Sequence, residues 1–225
     1  MSPRKIAARV CDRSLDIIAI CDHNSAENVP AVMKAAGGGR VVVLPGLEVC
    51  TSEEIHVLAI FEDLDQAFAM QAIVYDHLPG ENDPDAFGLQ VVANEHDEVV
   101  AMETRLLIGA IDLPVDRILD EIHRLGGLAI ASHIDRASHS VISQLGFIPE
   151  TLKFDALELS SRMPDREARE RFPSGASFAL VRNSDAHFLE DVGKNASAYV
   201  LHEPTFAEIH KALGKEEGRM VMELS

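Results

Sequence analysis

Four apolar segments of this chain each end in histidine or acidic residues, and this recurring pattern constrains the fold more than any other feature. Their composition, rich in Ile, Val, Leu and Ala, is typical of buried strands. The segments and the residues that follow them are 16–21 before Asp22-His23-Asn24, 41–44 before Pro45-Gly46-Leu47-Glu48, 128–131 before Ser132-His133, and 178–181 before a polar stretch with Asp185 and His187. Each predicted strand therefore places a charged or metal-binding side chain where it leaves the core.

Helical segments alternate with these strands. The sequence predicts helices over residues 26–36, from 63 or 65 to 78, and over 114–125, the last with an apolar stripe of Ile118, Leu119, Ile122 and Leu125. Alternating strands and helices imply a mainly parallel α/β sheet, which is either open and doubly wound or closed into a barrel. Nucleotide-binding glycine motifs are absent, so the open sheet loses support. The barrel is favoured because barrels build sites at several strand ends.

One segment interrupts this alternation. Residues 79–88 contain two prolines and two glycines, and residues 89–93 and 98–102 have the composition of a β-hairpin. We therefore predict a single domain, residues 1–225, with a loop and hairpin insertion over 79–102.

Composition narrows the classes of partner. With 20 Lys and Arg against 37 Asp and Glu, the net charge is −17, which argues against a general nucleic-acid or anionic-membrane surface. Cys11, Cys21 and Cys50 are scattered, so neither a disulfide framework nor a cysteine-based zinc site is predicted. Without an apolar run of about 18 residues or a signal-peptide core, we expect a cytoplasmic protein that does not bind membranes.

The polar strand ends suggest a metal site. The candidate ligands are His23, Glu48, His133, Asp185 and His187, with His56 as a further candidate. A lone histidine is more often a core residue, but five candidates on four strand ends favour metal binding. Imidazoles mixed with carboxylates suit Zn, Mn or Fe. Two ions about 3.5–4 Å apart could clamp a phosphoryl or carbonyl group.

At these residues the chain resembles the PHP (polymerase and histidinol phosphatase) family of metal-dependent phosphoesterases, over nearly its whole length. Five segments carry the resemblance: Cys21-Asp22-His23-Asn24 resembles T-D-H-N, Pro45-Gly46-Leu47-Glu48 resembles P-G-x-E, Ser184-Asp185-Ala186-His187 matches S-D-A-H, and Ile55-His56-Val57-Leu58 and Ala131-Ser132-His133 resemble the family's two further histidine motifs. The resemblance implies a distorted (β/α)7 barrel.

The resemblance also implies roles for these residues. Up to three metals would be bound, one by Glu48, His56 and His133, a second by Glu48 and Asp185, and a third by His23 and His187. A metal-bound hydroxide would attack phosphorus while an arginine holds the phosphate oxygens. Arg136 and Arg162 are the candidates for that contact, although either could equally be an exposed surface arginine.

The chain departs from the family pattern at its start, since no D-L-H-x-H strand precedes the helix that begins at Ser2-Pro3. This predicts fewer than three bound metals and impaired activity. The chain is either a truncated product or a natural form that lacks part of the site. We favour truncation, because polar side chains at the ends of buried strands cost folding free energy and would not be retained without a function.

The expected function is hydrolysis of phosphomonoesters on a small metabolite or nucleotide. Nucleic acid is an unlikely partner on the basis of the charge. The alternatives are an exonuclease of the same family and a catalytically impaired metal-binding scaffold. Among the other histidines, His139 is close enough in sequence to His133 to reach a substrate, and the rest are assigned structural or surface roles: His77, His96, His123, His202 and His210.

Overall fold

Six of the ten strands in the described residues form one curled sheet in the order β1-β2-β3-β6-β7-β8. The structure, a computed structural model, describes residues 1–37, 41–160 and 163–223. The strands are β1 Ile17–Ile20, β2 Val42–Cys50, β3 His56–Ile60, β4 Val91–Ala93, β5 Val99–Met102, β6 Leu128–Ala131, β7 Ala156–Glu158, β8 Ala179–Val181, β9 Tyr199–Val200 and β10 Met220–Val221. Strands β4 and β5 pair as a hairpin, and β9 pairs with β10.

The helices of the described residues are α1 Pro3–Asp12, α2 Val29–Ala36, α3 Leu64–Asp76, α4 Pro84–Phe87, α5 Val115–Arg124, α6 Val141–Leu145, α7 Asp165–Arg171 and α8 Phe206–Gly214. Helices α2, α3 and α5 match the three predicted segments, with boundaries shifted by a few residues. The short helix α4 lies within residues 79–88, which were predicted to form a loop. Local capping explains two of the starts. Asp63 and Gln66 form a capping box at α3, and Ser140 and Ser143 form one at α6.

The prediction of a mainly parallel sheet is wrong at β3. Strand β3 runs antiparallel to both β2 and β6, whereas β1–β2, β6–β7 and β7–β8 are parallel. The reason is the connection between β2 and β3, residues 51–55, which is too short for the helical crossover that parallel neighbours need. The described residues form a mixed α/β half barrel, and the count of seven strand-helix units is not confirmed.

Strand β2 is longer than the sequence indicated, because it continues through Pro45-Gly46 to Cys50. Glu48 therefore lies inside the strand and not beyond its end. Gly46 is required where β2 passes between its neighbours: a Cβ there would lie 2.7 Å from the carbonyl oxygen of Ala59 and 2.8 Å from Cys21 Sγ. The glycine lets β1, β2 and β3 approach closely while β2 stays extended.

Two apolar layers cover the faces of the sheet. Alternate residues of β2 and β3, such as Leu47 and Val57, pack with Met70 of α3 and Ile118 of α5. The opposite face carries a smaller cluster with Leu44, Ile60, Leu128 and Ile130. Glu48 and His56 also lie on strands of this core, so the sheet fixes the site residues directly. Among the described residues, no helix has the length and apolar character needed to cross a membrane.

Candidate metal centre

Two histidines, one on strand β3 and one directly after β6, lie against a carboxylate of strand β2. His56 Nδ1 lies 3.2 Å from Glu48 Oε1, and His133 Nε2 lies 3.7 Å from the same oxygen. We call Glu48, His56 and His133 the inner group. Their side chains are only 7%, 10% and 4% exposed. The six predicted metal ligands therefore include three that are held almost entirely inside the protein.

The other three predicted ligands, His23, Asp185 and His187, lie on the outer side of this cluster, and we call them the outer group. His23 Nδ1 is 3.3 Å from Glu48 Oε2, and its ring centroid is 5.8 Å from that of His187. His187 Nδ1 is 3.7 Å from Asp185 Oδ1. Exposure rises outward, from 16% for Asp185 to 28% for His23 and 58% for His187. All six predicted ligands thus lie in one continuous cluster.

Of the two arginines predicted to contact phosphate, Arg136 lies at the site. Its Nη1 is 2.5 Å from Asp185 Oδ2, and its side chain is 42% exposed. Arg162 lies outside the described residues.

Strand pairing explains why the inner group converges. In the antiparallel β2–β3 pair, Cys50 lies opposite His56, and Glu48, two residues before Cys50, lies on the same face. Strand β6 pairs with β3, and the amide of Ser132 donates to the carbonyl of His56. His133 follows directly, so the register of three strands brings its ring near Glu48.

Strained turns position the residues at three strand exits. Asn24, His133 and Asp185 have φ values of 50°, 30° and 43°, which are uncommon for residues other than glycine. Asn24 is held there by its side chain, which donates to the carbonyls of Leu107 and Gly109 and accepts from the amide of Cys50. Such strain persists only where surrounding contacts enforce it, and it is common at functional sites.

The cluster shifts the pKa values of its members in different directions. Burial alone would raise the pKa of Glu48, but its hydrogen bond with His56 and the charges of His56, His23 and His133 lower it to about 2. Burial opposes protonation of His56, yet its contacts with Cys50 and Glu48 raise its pKa to about 9. Burial is the main reason that the pKa values of His23 and His133 are lowered. Neutral imidazole is the form that binds metals.

Glu158, at the end of β7, is a site residue that the sequence interpretation did not include. Burial, followed by the nearby charges of Glu48 and Asp185, raises its pKa to about 8, although a hydrogen bond from Asn183 opposes the shift. Asn183 Nδ2 donates to Glu158 Oε2 at 2.9 Å. The sequence contained a signal for Glu158, because this residue ends a buried strand as the predicted ligands do.

The donor set fits a divalent cation. One atom each from His23, Glu48 and His56 lie within 4.8 Å of one another. His133 Nδ1 is buried and has no hydrogen-bond partner among the described residues, which is costly for a polar atom. Imidazole and carboxylate donors suit Zn²⁺, Mn²⁺ or Fe²⁺. The residues present could therefore hold one or more such ions.

Comparison with known proteins gives structural but not sequence matches. No protein-family model matches the sequence, and no curated protein does. Two of the similar solved structures are of Endonuclease Q. The first is the lesion-specific endonuclease of Pyrococcus furiosus, with 18% identity, a TM-score of 0.67, and coverage of 99% of this chain and 53% of that one. The second is a complex with a 27-mer duplex that has an abasic lesion at the active site, with 19% identity, a TM-score of 0.66, and coverage of 97% and 53%.

A third similar structure is a proposed metal-dependent phosphoesterase of Bifidobacterium adolescentis, with 16% identity, a TM-score of 0.60, and coverage of 96% of this chain and 91% of that one. These likenesses confirm the PHP-type fold that the sequence motifs indicated. The chain spans about half the length of the Endonuclease Q chains.

The expectation, made from net charge, that nucleic acid is an unlikely partner is wrong. Endonuclease Q, which has the fold of this chain, is solved with a DNA duplex at its active site. The prediction rested on net charge, and net charge does not describe the local surface that a substrate contacts.

Proposed function

We propose that this chain is a metal-dependent phosphoesterase whose centre is the inner and outer groups. The observation that carries the proposal is the convergence of His23, His56 and His133 on Glu48, with Asp185 and His187 beside them, at one end of a sheet with the PHP-type fold. A divalent cation bound there would polarise a phosphoryl oxygen and make water a better nucleophile at neutral pH.

The protonation states of the inner group support this role. With a pKa of about 2, Glu48 is anionic at neutral pH and ready to bind a cation. His133 and His23 have lowered pKa values and are neutral. His56, with a pKa of about 9, must lose a proton to bind a metal, so metal affinity should rise with pH.

Two further residues have proposed roles beside the metal ligands. Arg136 would contact a phosphate oxygen, since its guanidinium already lies against Asp185 and a bound cation would compete for that carboxylate. Glu158, with a pKa of about 8, would hold a proton at neutral pH. Because Glu158 Oε2 accepts from Asn183, Oε1 is the position from which that proton could be transferred to a leaving oxygen.

Two classes of substrate have support. A small phosphomonoester is a candidate because another protein with this fold is a proposed metal-dependent phosphoesterase. Nucleic acid is supported by the fold shared with Endonuclease Q and by the basic residues Arg4, Lys5 and Arg9 of helix α1, with Arg13 at its C-cap. A cavity of about 1050 Å³, lined by residues of α1, β1 and the site, could accept either a nucleotide or part of a strand.

The experiment compares the two classes directly. The purified chain, loaded with Mn²⁺ or Zn²⁺, is assayed on a panel of phosphomonoesters and on labelled DNA duplexes with and without an abasic site. We expect hydrolysis that EDTA abolishes and that Asp185→Asn reduces. Strong inhibition by salt would indicate a polynucleotide substrate. Metal binding without hydrolysis in either panel would instead support the scaffold alternative.

A further inference from the structure

A second cluster of metal-binding side chains adjoins the inner group. Cys50 is the last residue of β2 and His56 the first of β3, and the two are directly opposite in the antiparallel pair. Opposite residues in such a pair have their side chains on the same face, with Cβ atoms about 4.5–5.5 Å apart. Both residues are buried, at 3% and 8% exposure. Strand register alone therefore places a thiol beside the His56 imidazole.

His139 joins this pair from the loop after β6. Its carbonyl accepts a 2.9 Å hydrogen bond from the amide of His56, and its ring stacks on that of His56 with centroids 4.6 Å apart and planes 19° apart. Its backbone has a φ of 54°, immediately before Ser140, which caps α6 and donates to the carbonyl of Arg136. The loop is thus anchored on both sides in a strained conformation that brings His139 against His56.

One ring nitrogen of His139 indicates that this side chain has a ligand-binding role in addition to its packing against His56. Nδ1 is buried and has no hydrogen-bond partner in the part of the chain that the structure describes. One ligand atom from each of Cys50, His56 and His139 lies within 4.8 Å of the other two. In a tetrahedral site with Zn–S of about 2.3 Å and Zn–N of about 2.0 Å, ligand atoms are separated by somewhat less than this, so only small side-chain movements are needed.

We propose that Cys50, His56 and His139 form a second metal position that takes a borderline-soft divalent cation such as Zn²⁺. A thiolate with two imidazoles is a donor set that favours Zn²⁺ over Mg²⁺, Ca²⁺ or Mn²⁺. Three protein ligands leave a fourth position open. This assignment replaces the interpretation of Cys50 as one of three scattered thiols.

The two positions are linked through His56, which belongs to both groups of converging atoms. His56 either serves one ion at a time or bridges two through its two nitrogens. In both cases the Cys50 position can be measured without a phosphoester substrate, so it does not rest on the proposed hydrolysis.

Cobalt is the probe that tests this position, because a thiolate bound to Co²⁺ gives a charge-transfer band in the near ultraviolet. The full chain, with thiols reduced, is titrated with Co²⁺ alone. We expect the band in the wild type and its loss in Cys50→Ser. Because each lost ligand should cost more than the roughly 10–100-fold seen for outer-shell changes, His139→Ala should weaken Co²⁺ binding at least tenfold. Cys50→Ala and His139→Gln serve as second variants, with folding checked by circular dichroism.

Matched controls come from the other two thiols and from Glu48. Cys11 is exposed, whereas Cys21 lies next to Gly46 of β2, close enough for the charge of Glu48 to raise its pKa, and is the alternative thiol ligand. We expect Cys11→Ser and Cys21→Ser to keep the band, and Glu48→Gln to keep it while losing metal-dependent hydrolysis. A wild type without the band, or a band lost in Cys21→Ser and kept in Cys50→Ser, would overturn the proposal. Neither result would bear on the phosphoesterase function.

Discussion

The inner and outer groups differ in what holds them in place. Glu48, His56 and His133 are 4–10% exposed. Glu48 and His56 lie on strands that pair on both sides, and His133 lies in the turn directly after β6. The outer group is 16–58% exposed, and two of its members, Asp185 and His187, follow β8 in irregular backbone. The inner group is therefore built mainly by the sheet, whereas Asp185 and His187 depend on the loop after β8. His23 is intermediate, because its backbone bridges to that of Glu48.

This difference suggests a division of roles. A rigid, buried set of donors can define where a cation sits, because its geometry costs little reorganisation when the ion binds. A more exposed set can adjust to the ion and to a substrate. We therefore expect changes in the inner group to remove metal, and changes in the outer group mainly to reduce turnover.

The largest effect is expected for Glu48→Gln. Because Glu48 contacts three imidazoles, its neutral replacement should weaken metal binding by more than about 100-fold and lower metal content more than folding stability. Elemental analysis and thermal unfolding of the purified variant measure the two effects, with the exposed Glu62→Gln as the control. Unchanged metal occupancy would remove Glu48 from the centre.

A smaller effect is expected for Asp185→Asn. It should reduce activity by about 10–100-fold while metal content falls less than in Glu48→Gln, because the inner group keeps its donors. Metal content and steady-state rates are compared with those of Asp191→Asn, a carboxylate in the following loop that pairs with Lys194. A greater metal loss than in Glu48→Gln would reverse the proposed division between the two groups.

The inner and outer groups also show how much of the fold and of the site could be predicted from the sequence. An apolar segment predicted β6 at its observed residues. Five of the candidate ligands were predicted because each follows an apolar segment, and His56, the first residue of β3, was a further candidate. The antiparallel direction of β3 was also available, in the short connection between Cys50 and His56. That connection would have placed the thiol opposite the histidine, and the strand-end rule would have added Glu158.

Other features depend on tertiary structure that no local pattern encodes. The pairing of Arg136 with Asp185 joins two loops from distant parts of the chain. The left-handed conformations of Asn24, His133 and Asp185 are enforced by surrounding contacts and have no glycine to signal them. The stacking of His139 on His56 likewise depends on how the loop after β6 folds back.

Replacing Asn28 should change the position of the hairpin beside the site without altering the metal-binding residues of the inner and outer groups. Asn28 Nδ2 donates to Asp22 Oδ2 and to the carbonyl of Val91, and its Oδ1 accepts from the amide of Ala93, so it ties the hairpin to the site. We expect Asn28→Ala to change the ratio of hydrolysis rates on different phosphoester substrates several-fold, with the metal content of the protein unchanged. His96→Ala, at the exposed hairpin turn, is the control. Equal substrate ratios in both variants would show that the hairpin has no part in selectivity.

A last prediction concerns folding stability, and not metal binding or turnover: the pH dependence of stability in the metal-free protein. Glu158 has a folded-state pKa of about 8 against a reference of 4.5, so between these values the folded state binds more protons and stability falls as pH rises. A tenfold change in proton affinity is worth about 1.4 kcal/mol, so the loss amounts to a few kcal/mol. Glu158→Gln should flatten this slope in urea titrations from pH 5 to 8.

Glu48, with its pKa of about 2, should contribute stability above pH 4.5 that is lost as pH falls towards 2.

The central claim is that the inner group binds a divalent cation. Anomalous diffraction from crystals of the chain soaked in Mn²⁺ tests it most directly, because the signal locates the ion without any assumption about substrate. The account predicts a peak within coordination distance of Glu48, His56 and His133, and no such peak in Glu48→Gln crystals treated in the same way. A wild-type map with Mn²⁺ bound elsewhere and none at these three side chains would contradict it.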